Sequence, residues 1–309
     1  MYVLKFFFKI INYFKLFFFK VKLYFLSYFF LNIQKKIIFS ILKSIDKKSN
    51  NFFCGNKIEY DYMDNNKKMC QKEIIWICWF QGLDNAPPIV KKCIENIIKF
   101  NSDFYQINVI SFDNFSNFVA IPDFIVEKVK TKKITLTHFS DILRFALLAK
   151  HGGVWIDSTY FTLSALPKVI YESEFFTLKS HNLQFKQWIP EGMWSGNFIK
   201  FKKNNQSAQF IYNLFLKYWF VYDDLIDYFL IDYIIAYVYS EDPEFRINVD
   251  NCGFFGENVF LLNNVLFNNV NKIDDMKLKA DNVRVYKMTY KIGKNLNLKI
   301  NNYYNKYFL

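Results

Sequence analysis

Apolar residues fall along the chain in two rhythms. From His138 to Leu147, Ile142, Leu143, Ala146 and Leu147 recur at helical spacing. Thr137 is the expected N-cap. His151 sits in the last turn, and Gly152 can take the left-handed conformation that ends a helix. Val154-Trp155-Ile156 then forms a run too apolar for an exposed edge, so it predicts a buried strand with Asp157 at its C-terminal end. Glu73 to Phe80 predicts another buried strand, with Gln81-Gly82 as the turn after it. Pro87 and Pro88 open a helix through Phe100, and Gln106 to Phe112 is the next strand. That β-α-β order opens a nucleotide-binding α/β domain. Ile121-Pro122-Asp123 caps a helix through Lys130. Phe175 to Leu178 and the residues after the Gly196-Asn197 turn are further strands, and Ser207 to Val221 and Asp227 to Tyr239 are helices.

The first 48 residues follow a different pattern. At about 100° per residue, Lys5, Lys9, Lys15, Lys20 and Lys22 fall within an arc of roughly 160°, opposite Phe6, Phe7, Ile10, Phe14, Phe17, Phe18 and Val21. This predicts a basic amphipathic helix lying on a membrane surface. The longest uncharged run, Leu23 to Gln34, falls short of the roughly 20 residues a spanning helix needs, and no small-residue cleavage site follows it. Residues 49–72 are polar and rich in Asn, Asp and Lys, and predict a linker. Residues 73–309 are left as the catalytic domain.

Charge sharpens this division. The chain of 309 residues carries a net +12. Residues 1–50 hold ten Lys against the single acid Asp46, so the excess lies in the apolar tail and points to the cytoplasmic face of a membrane; no nucleic acid is expected as a partner. Five cysteines at irregular spacing, with no Cys-x-x-Cys, predict reduced structural thiols. Three His exclude a His-rich metal site. No Gly-x-Gly-x-x-Gly, Walker or Gly-x-Ser-x-Gly pattern follows a predicted strand, which sets aside dinucleotide, P-loop and serine-hydrolase chemistry.

The candidate chemistry gathers at Asp157. Ligands of open α/β sheets bind outside the carboxyl ends of the strands, where this carboxylate is delivered. His138, Asp141 and Arg144 share one face of the preceding helix. There a carboxylate can take ribose hydroxyls and a guanidinium can take phosphate. Taken alone, the Asp–Arg pair could equally be a surface salt bridge. Asp232 stands in an almost wholly apolar run, where a carboxylate is costly unless paired or used.

Ser140, Asp141, Arg144, Gly152, Gly153 and Asp157 together resemble the capsular polysaccharide synthesis family of glycosyltransferases, relatives of sugar transferases with a DXD motif. Here that motif reads Asp157-Ser158-Thr159, leaving a single carboxylate. The opening strand with Pro87-Pro88, the Ser195-Gly196-Asn197 segment, the stretch around Asp232 and the late segment Val285 to Lys291 resemble the family as well, so that the likeness runs over about residues 73–291. The resemblance implies a GT-A-type domain with a mostly parallel central sheet. It implies transfer of a sugar from a nucleotide-diphosphate sugar to a polysaccharide or lipid-linked acceptor, with retention at the anomeric carbon. Asp157, Arg144 and Asp232 would be catalytic. Manganese or magnesium would sit on Asp157 and Thr159. The donor would meet Trp79, Gln81, His138, Asp141, Arg144, Gly153, Asn197 and Lys287. Two other classes fit the same residues: a sugar-nucleotide- or polysaccharide-binding protein without activity, and a membrane-bound scaffold for capsule assembly.

Overall fold

The structure is a computed structural model and describes residues 2–48, 72–291 and 301–309. The expected linker at 49–72 therefore lies, but for Lys72, outside the described residues, as do Cys54 and Cys70.

The chain begins with two helices, α1 (Tyr2–Lys20) and α2 (Tyr24–Lys48), folded into a hairpin where Lys22 takes a positive φ of 62°. Next come β1 (Glu73–Cys78), α3 (Pro88–Asn101) and β2 (Tyr105–Ile110), the expected β-α-β unit. They lead to α4 (Asp123–Lys130), α5 (Leu136–His151), β3 (Gly153–Ile156) and β4 (Tyr160–Thr162). The middle of the chain forms α6 (Lys168–Glu172), β5 (Phe175–Thr177), β6 (Phe198–Phe201), α7 (Gln206–Val221) and α8 (Leu230–Glu241). The last elements are α9 (Pro243–Asn251), α10 (Leu261–Val265), α11 (Lys272–Ala280), β7 (Val285–Lys287) and α12 (Tyr303–Phe308).

Five strands form the central sheet in the order β2-β1-β3-β6-β5. β1 is parallel to β2 and β3, while β6 is antiparallel to β3 and β5. Four strands thus run one way and β6 alone opposes them, as a mostly parallel sheet requires. Side chains alternate across it. Trp76, Trp155, Ile199 and Phe201 enter the core with α5, α7 and α8. Ile75, Ile77, Val154, Ile156 and Phe198 enter the core with Val90, Ile94 and Ile97 of α3. Both faces are covered, which is why the strands read as continuous apolar runs rather than alternating ones. A small second sheet pairs β4 with β7 antiparallel, Tyr160 opposite Lys287.

Several boundaries differ from expectation. The cap of α5 is Thr135, whose side chain accepts from the His138 N–H, so the helix starts before Thr137. α8 starts at Leu230 rather than Asp227, because the Asp227 carboxylate turns back to accept from the Phe229 N–H.

The N-terminal hairpin is also not a separate tail. Ser27, Leu31, Gln34, Ile38, Leu42 and Ile45 form a buried seam along α2. This seam packs on α7 and α8 and shares their core. Asp46 pairs with Lys217 of α7 at 2.8 Å. A boundary at residue 48 therefore does not divide two cores. α2 also contains Tyr24–Lys47, long and apolar enough by composition to cross a membrane, with mean hydropathy 1.3. A count of uncharged residues alone misses this.

α1 packs on α2, with Phe8 and Ile11 buried. The Lys stripe is split. Lys5 turns inward to Asp224 at 3.0 Å, and Lys15 is buried with its ammonium 5.7 Å from the Trp188 ring centre. Burial pulls the Lys15 amine down to about 8, against the opposing pull of Asp227. The Phe face points out: Phe6, Tyr13 and Phe17 are 66%, 66% and 47% exposed.

Candidate active site

The Gly152-Gly153 step delivers Asp157. Gly152 ends α5 at φ 67°, and a Cβ there would stand 2.3 Å from the Lys203 backbone nitrogen. Gly153 has φ 94°, and a Cβ there would stand 2.4 Å from the Ile74 carbonyl oxygen. Only glycine combines that backbone with that proximity. The chain can therefore turn straight from helix into β3, flush against β1, with Trp76 Nε1 donating to the Gly152 carbonyl at 2.8 Å. Asp157 emerges at the carboxyl edge of the sheet. Its N–H donates to the Asn197 carbonyl, at the start of the opposed strand β6, at 3.0 Å. The opposed direction of β6 is what brings Asn197 to the same edge.

Three donors converge on the Asp157 carboxylate. Oδ1 accepts from Arg144 Nη2 at 3.2 Å and from Trp155 Nε1 at 2.9 Å, and Oδ2 accepts from Lys287 Nζ at 2.7 Å. Burial pushes this carboxyl up, but the Lys287 ammonium, the Arg144 guanidinium and the bonds from Lys287 and Trp155 outweigh it and hold it below the ordinary aspartate value. Arg144 also reaches Asp141 Oδ1 at 3.2 Å, and its guanidinium lies 4.9 Å from the Trp155 ring centre. The guanidinium is thus fixed from three sides, with Nη1 beside Gly196. Lys287 arrives through the β4–β7 ladder. The Met288 N–H donates to the Thr159 carbonyl at 2.8 Å, and the Lys287 ammonium lies 5.0 Å from the Tyr160 ring centre.

These groups line a cavity of about 620 Å³, within the range of small-ligand sites. Asp141, Arg144, Asp157, Asn197, Asp232 and Lys287 all face it, so six expected site residues come together from four separate stretches. Asn197 Oδ1 accepts from Tyr160 Oη at 2.7 Å and Ser195 Oγ at 2.6 Å, which leaves its NH2 group for a ligand. The Asp232 carboxylate accepts from Trp194 Nε1 at 3.3 Å. Burial, reinforced by the Asp141 charge, pushes the Asp232 carboxyl up to about 7.

The other expected site residues lie elsewhere. His138 is buried, its Nε2 accepting from Trp219 Nε1 at 2.9 Å, so it braces α5 on α7. Gly153 is packed on Ile74 and offers a ligand nothing. Trp79 packs on Tyr290 with ring centres 5.5 Å apart, and Gln81 accepts from Asn85 through its backbone carbonyl; neither lines the cavity. Thr159 is buried outside the lining. Sequence reasoning missed the aromatic wall of Trp188, Trp194, Tyr228 and Phe229. Trp188 comes from a loop without periodicity, and only the Trp194-Ser195-Gly196-Asn197 turn marked that side.

The described residues do not form a closed protein cage for a manganese or magnesium ion. Magnesium is commonly held by one or two protein carboxylates, with substrate phosphates and water completing its shell. Among the described residues no three His, Cys, Asp or Glu side chains gather as a metal group. Both Asp157 oxygens are already engaged, and a dication there would meet an ammonium and a guanidinium at the same carboxylate. Of the cysteines, Cys78, Cys93 and Cys252 are free thiols, and burial pushes all three up, away from reactivity.

No curated protein matches the chain. The solved structure of the PaToxG glycosyltransferase is similar at 19% identity over 71% of this chain and 84% of that chain, with a TM-score of 0.39, too loose a likeness to bear on function. The profile described as "Capsular polysaccharide synthesis protein" matches residues 25–307, a span that includes nearly all of α2 and exceeds the 73–291 stretch bearing the motifs. The chain belongs to the capsular polysaccharide synthesis protein family.

Proposed function

We propose that the protein is a glycosyltransferase of the GT-A type that moves a sugar from a nucleotide-diphosphate sugar to a polysaccharide or lipid-linked acceptor. The observation that supports it most is the Asp157 carboxylate at the carboxyl edge of the sheet, clamped by Arg144 and Lys287 at the wall of a cavity sized for a nucleotide sugar. Arg144 presents a fixed guanidinium to phosphate. Asp141 is placed for ribose hydroxyls, and Asn197 for a sugar or phosphate oxygen. The wall of Trp188, Trp194, Tyr228 and Phe229 offers flat apolar faces to a sugar ring or base.

In the transfer, the bond from the anomeric carbon to the β-phosphate oxygen breaks and its electron pair stays on the phosphate. The acceptor hydroxyl oxygen bonds the anomeric carbon. Its proton passes to the Asp232 carboxylate, whose raised pKa suits a base working near neutrality. Retention, which the family resemblance implies, is read from the anomeric coupling constant of the product. The outward Phe face of α1 would rest in the headgroup region of the cytoplasmic leaflet, with the exposed Lys9, Lys20 and Lys22 toward anionic lipid.

The test is a screen of the purified full chain against a panel of sugar nucleotides, scoring released nucleoside diphosphate and labelled product. One donor is expected to turn over. Arg144→Lys should lower turnover by about 10²–10³-fold, as loss of a charge-stabilising donor does elsewhere, and Asp157→Asn should lower it too, because the carboxylate that holds Arg144 and Lys287 in place is lost. Silence across the whole panel, or Asp157→Asn at the wild-type rate, would favour a binding protein without activity.

A further inference from the structure

We infer that Lys287, acting with Arg144, occupies the place of a divalent cation: the two side chains form a built-in counter-ion for the departing diphosphate. The inference rests on the transferase reading and adds to it the source of the positive charge. A leaving nucleoside diphosphate gains charge on its β-phosphate, and that charge must be met by something fixed and positive. In this site the described carboxylates do not gather into an ion cage. Instead an ammonium sits on Asp157 Oδ2 at 2.7 Å and a guanidinium on Oδ1 at 3.2 Å. Both also line the cavity.

The supporting shell argues for a placed group rather than an incidental ion pair. Lys287 is the last residue of β7, held in register opposite Tyr160, and its own N–H donates to the Val259 carbonyl at 2.7 Å. Tyr160 lies three residues after Asp157, its N–H closing a turn on the Asp157 carbonyl at 3.0 Å. The ladder therefore ties the ammonium to the carboxylate through the backbone. The ammonium has three hydrogens, and Asp157 takes one. The side chain remains 21% open, so the other two can reach a phosphate. On Arg144, Nη2 serves the two carboxylates while Nη1 stands beside Gly196, where the absence of a Cβ leaves room.

The test is calorimetric titration of the full chain with UDP, GDP, CDP, ADP and dTDP, in chelator and again in manganese, beside the matching monophosphates. One diphosphate is expected to bind in chelator, with an affinity that manganese changes less than about threefold. Lys287→Ala should weaken that diphosphate by roughly 10–100-fold, the range for loss of a hydrogen bond to a charged partner. It should leave the monophosphate nearly unchanged, and Lys287→Arg should restore most of the loss. If Lys287→Ala fails to fold by near-ultraviolet circular dichroism, Lys287→Gln, which keeps the stem, takes its place. Diphosphate binding that appears only with manganese, or that ignores the charge at 287, overturns the inference and leaves the transferase intact. Absence of nucleotide binding with and without metal overturns the transferase reading, and the inference with it.

Discussion

At the scale of single residues, Asp232 gives the site a handle on pH. Its carboxyl sits near 7 in the folded chain, raised by burial and by the Asp141 charge, against an ordinary value near 4 when unfolded. Between those two values the folded state keeps a proton that the unfolded state has released. Stability from this group is therefore full below about pH 4 and is lost as pH climbs through 7. Asp232→Asn removes the slope. Melting curves from pH 5 to pH 8 should show the Tm of the variant rising relative to wild type as pH increases. In the same variant, turnover should fall and the limb of the rate profile that rises near pH 7 should vanish. A wild-type profile flat through neutrality would exclude Asp232 as the base. Asp157 is shifted the opposite way: burial raises its carboxyl, but Lys287 and Arg144 outweigh that and hold it below the ordinary aspartate value.

At the scale of elements, the helix-to-strand step around Gly152 and Gly153 was legible because each residue had a local reason to be there. A wholly apolar tripeptide after two glycines reads as a buried strand entered through a tight turn. The added content of the structure is the close approach, Gly153 against the Ile74 carbonyl. Gly153→Ala should cost roughly 3 kcal/mol, as strained special backbone positions do, read as a lower urea midpoint, and should lower turnover with it because Asp157 hangs from the same strand. A midpoint unchanged from wild type would mean that β3 has slack. The other wall was illegible for a physical reason. Trp188, Trp194, Tyr228 and Phe229 stand outside any helix or strand, and no periodicity marks which way such side chains face. Lys287 could be named only through family resemblance. Its pairing with Asp157, 130 positions earlier, depends on a ladder that no local pattern encodes.

At the scale of the whole molecule, a helical wheel of α1 cannot tell which face meets the protein, and the structure splits the Lys stripe between inward Lys5 and Lys15 and exposed Lys9, Lys20 and Lys22. A Phe-rich face can satisfy itself against a core or against lipid. Here part of the basic face was drawn inward by acids and an indole: Lys5 to Asp224, Lys15 to Trp188, and, from α2, Lys35 to Glu191. Removal of residues 1–22 should leave a folded chain and abolish flotation with anionic liposomes; in the intact chain, high salt should weaken flotation only partly, because apolar burial persists. Removal of residues 1–50 should instead lower the Tm sharply or prevent folding, since it strips Leu31, Ile38, Leu42 and Ile45 from the main core. If the longer deletion melted like the shorter, α2 would be an attachment rather than part of the domain. Trp188 lines the cavity together with Pro190 and Gly192, and Glu191 lies in the same loop. The hairpin is thus in mechanical contact with the pocket.

The β4–β7 ladder also has a consequence for the order in which the site comes into being. Arg144 and Asp157 leave the ribosome well before Lys287, and β1, β2 and β3 all lie in that earlier stretch. Lys287 emerges 130 positions after Asp157. Until β7 threads into place beside Tyr160, the nascent chain holds a carboxylate and a guanidinium without their ammonium. The proposed site is therefore incomplete until β7 has been made, and a stop just before Val285 would leave the five strands of the central sheet without the ammonium that pairs with Asp157.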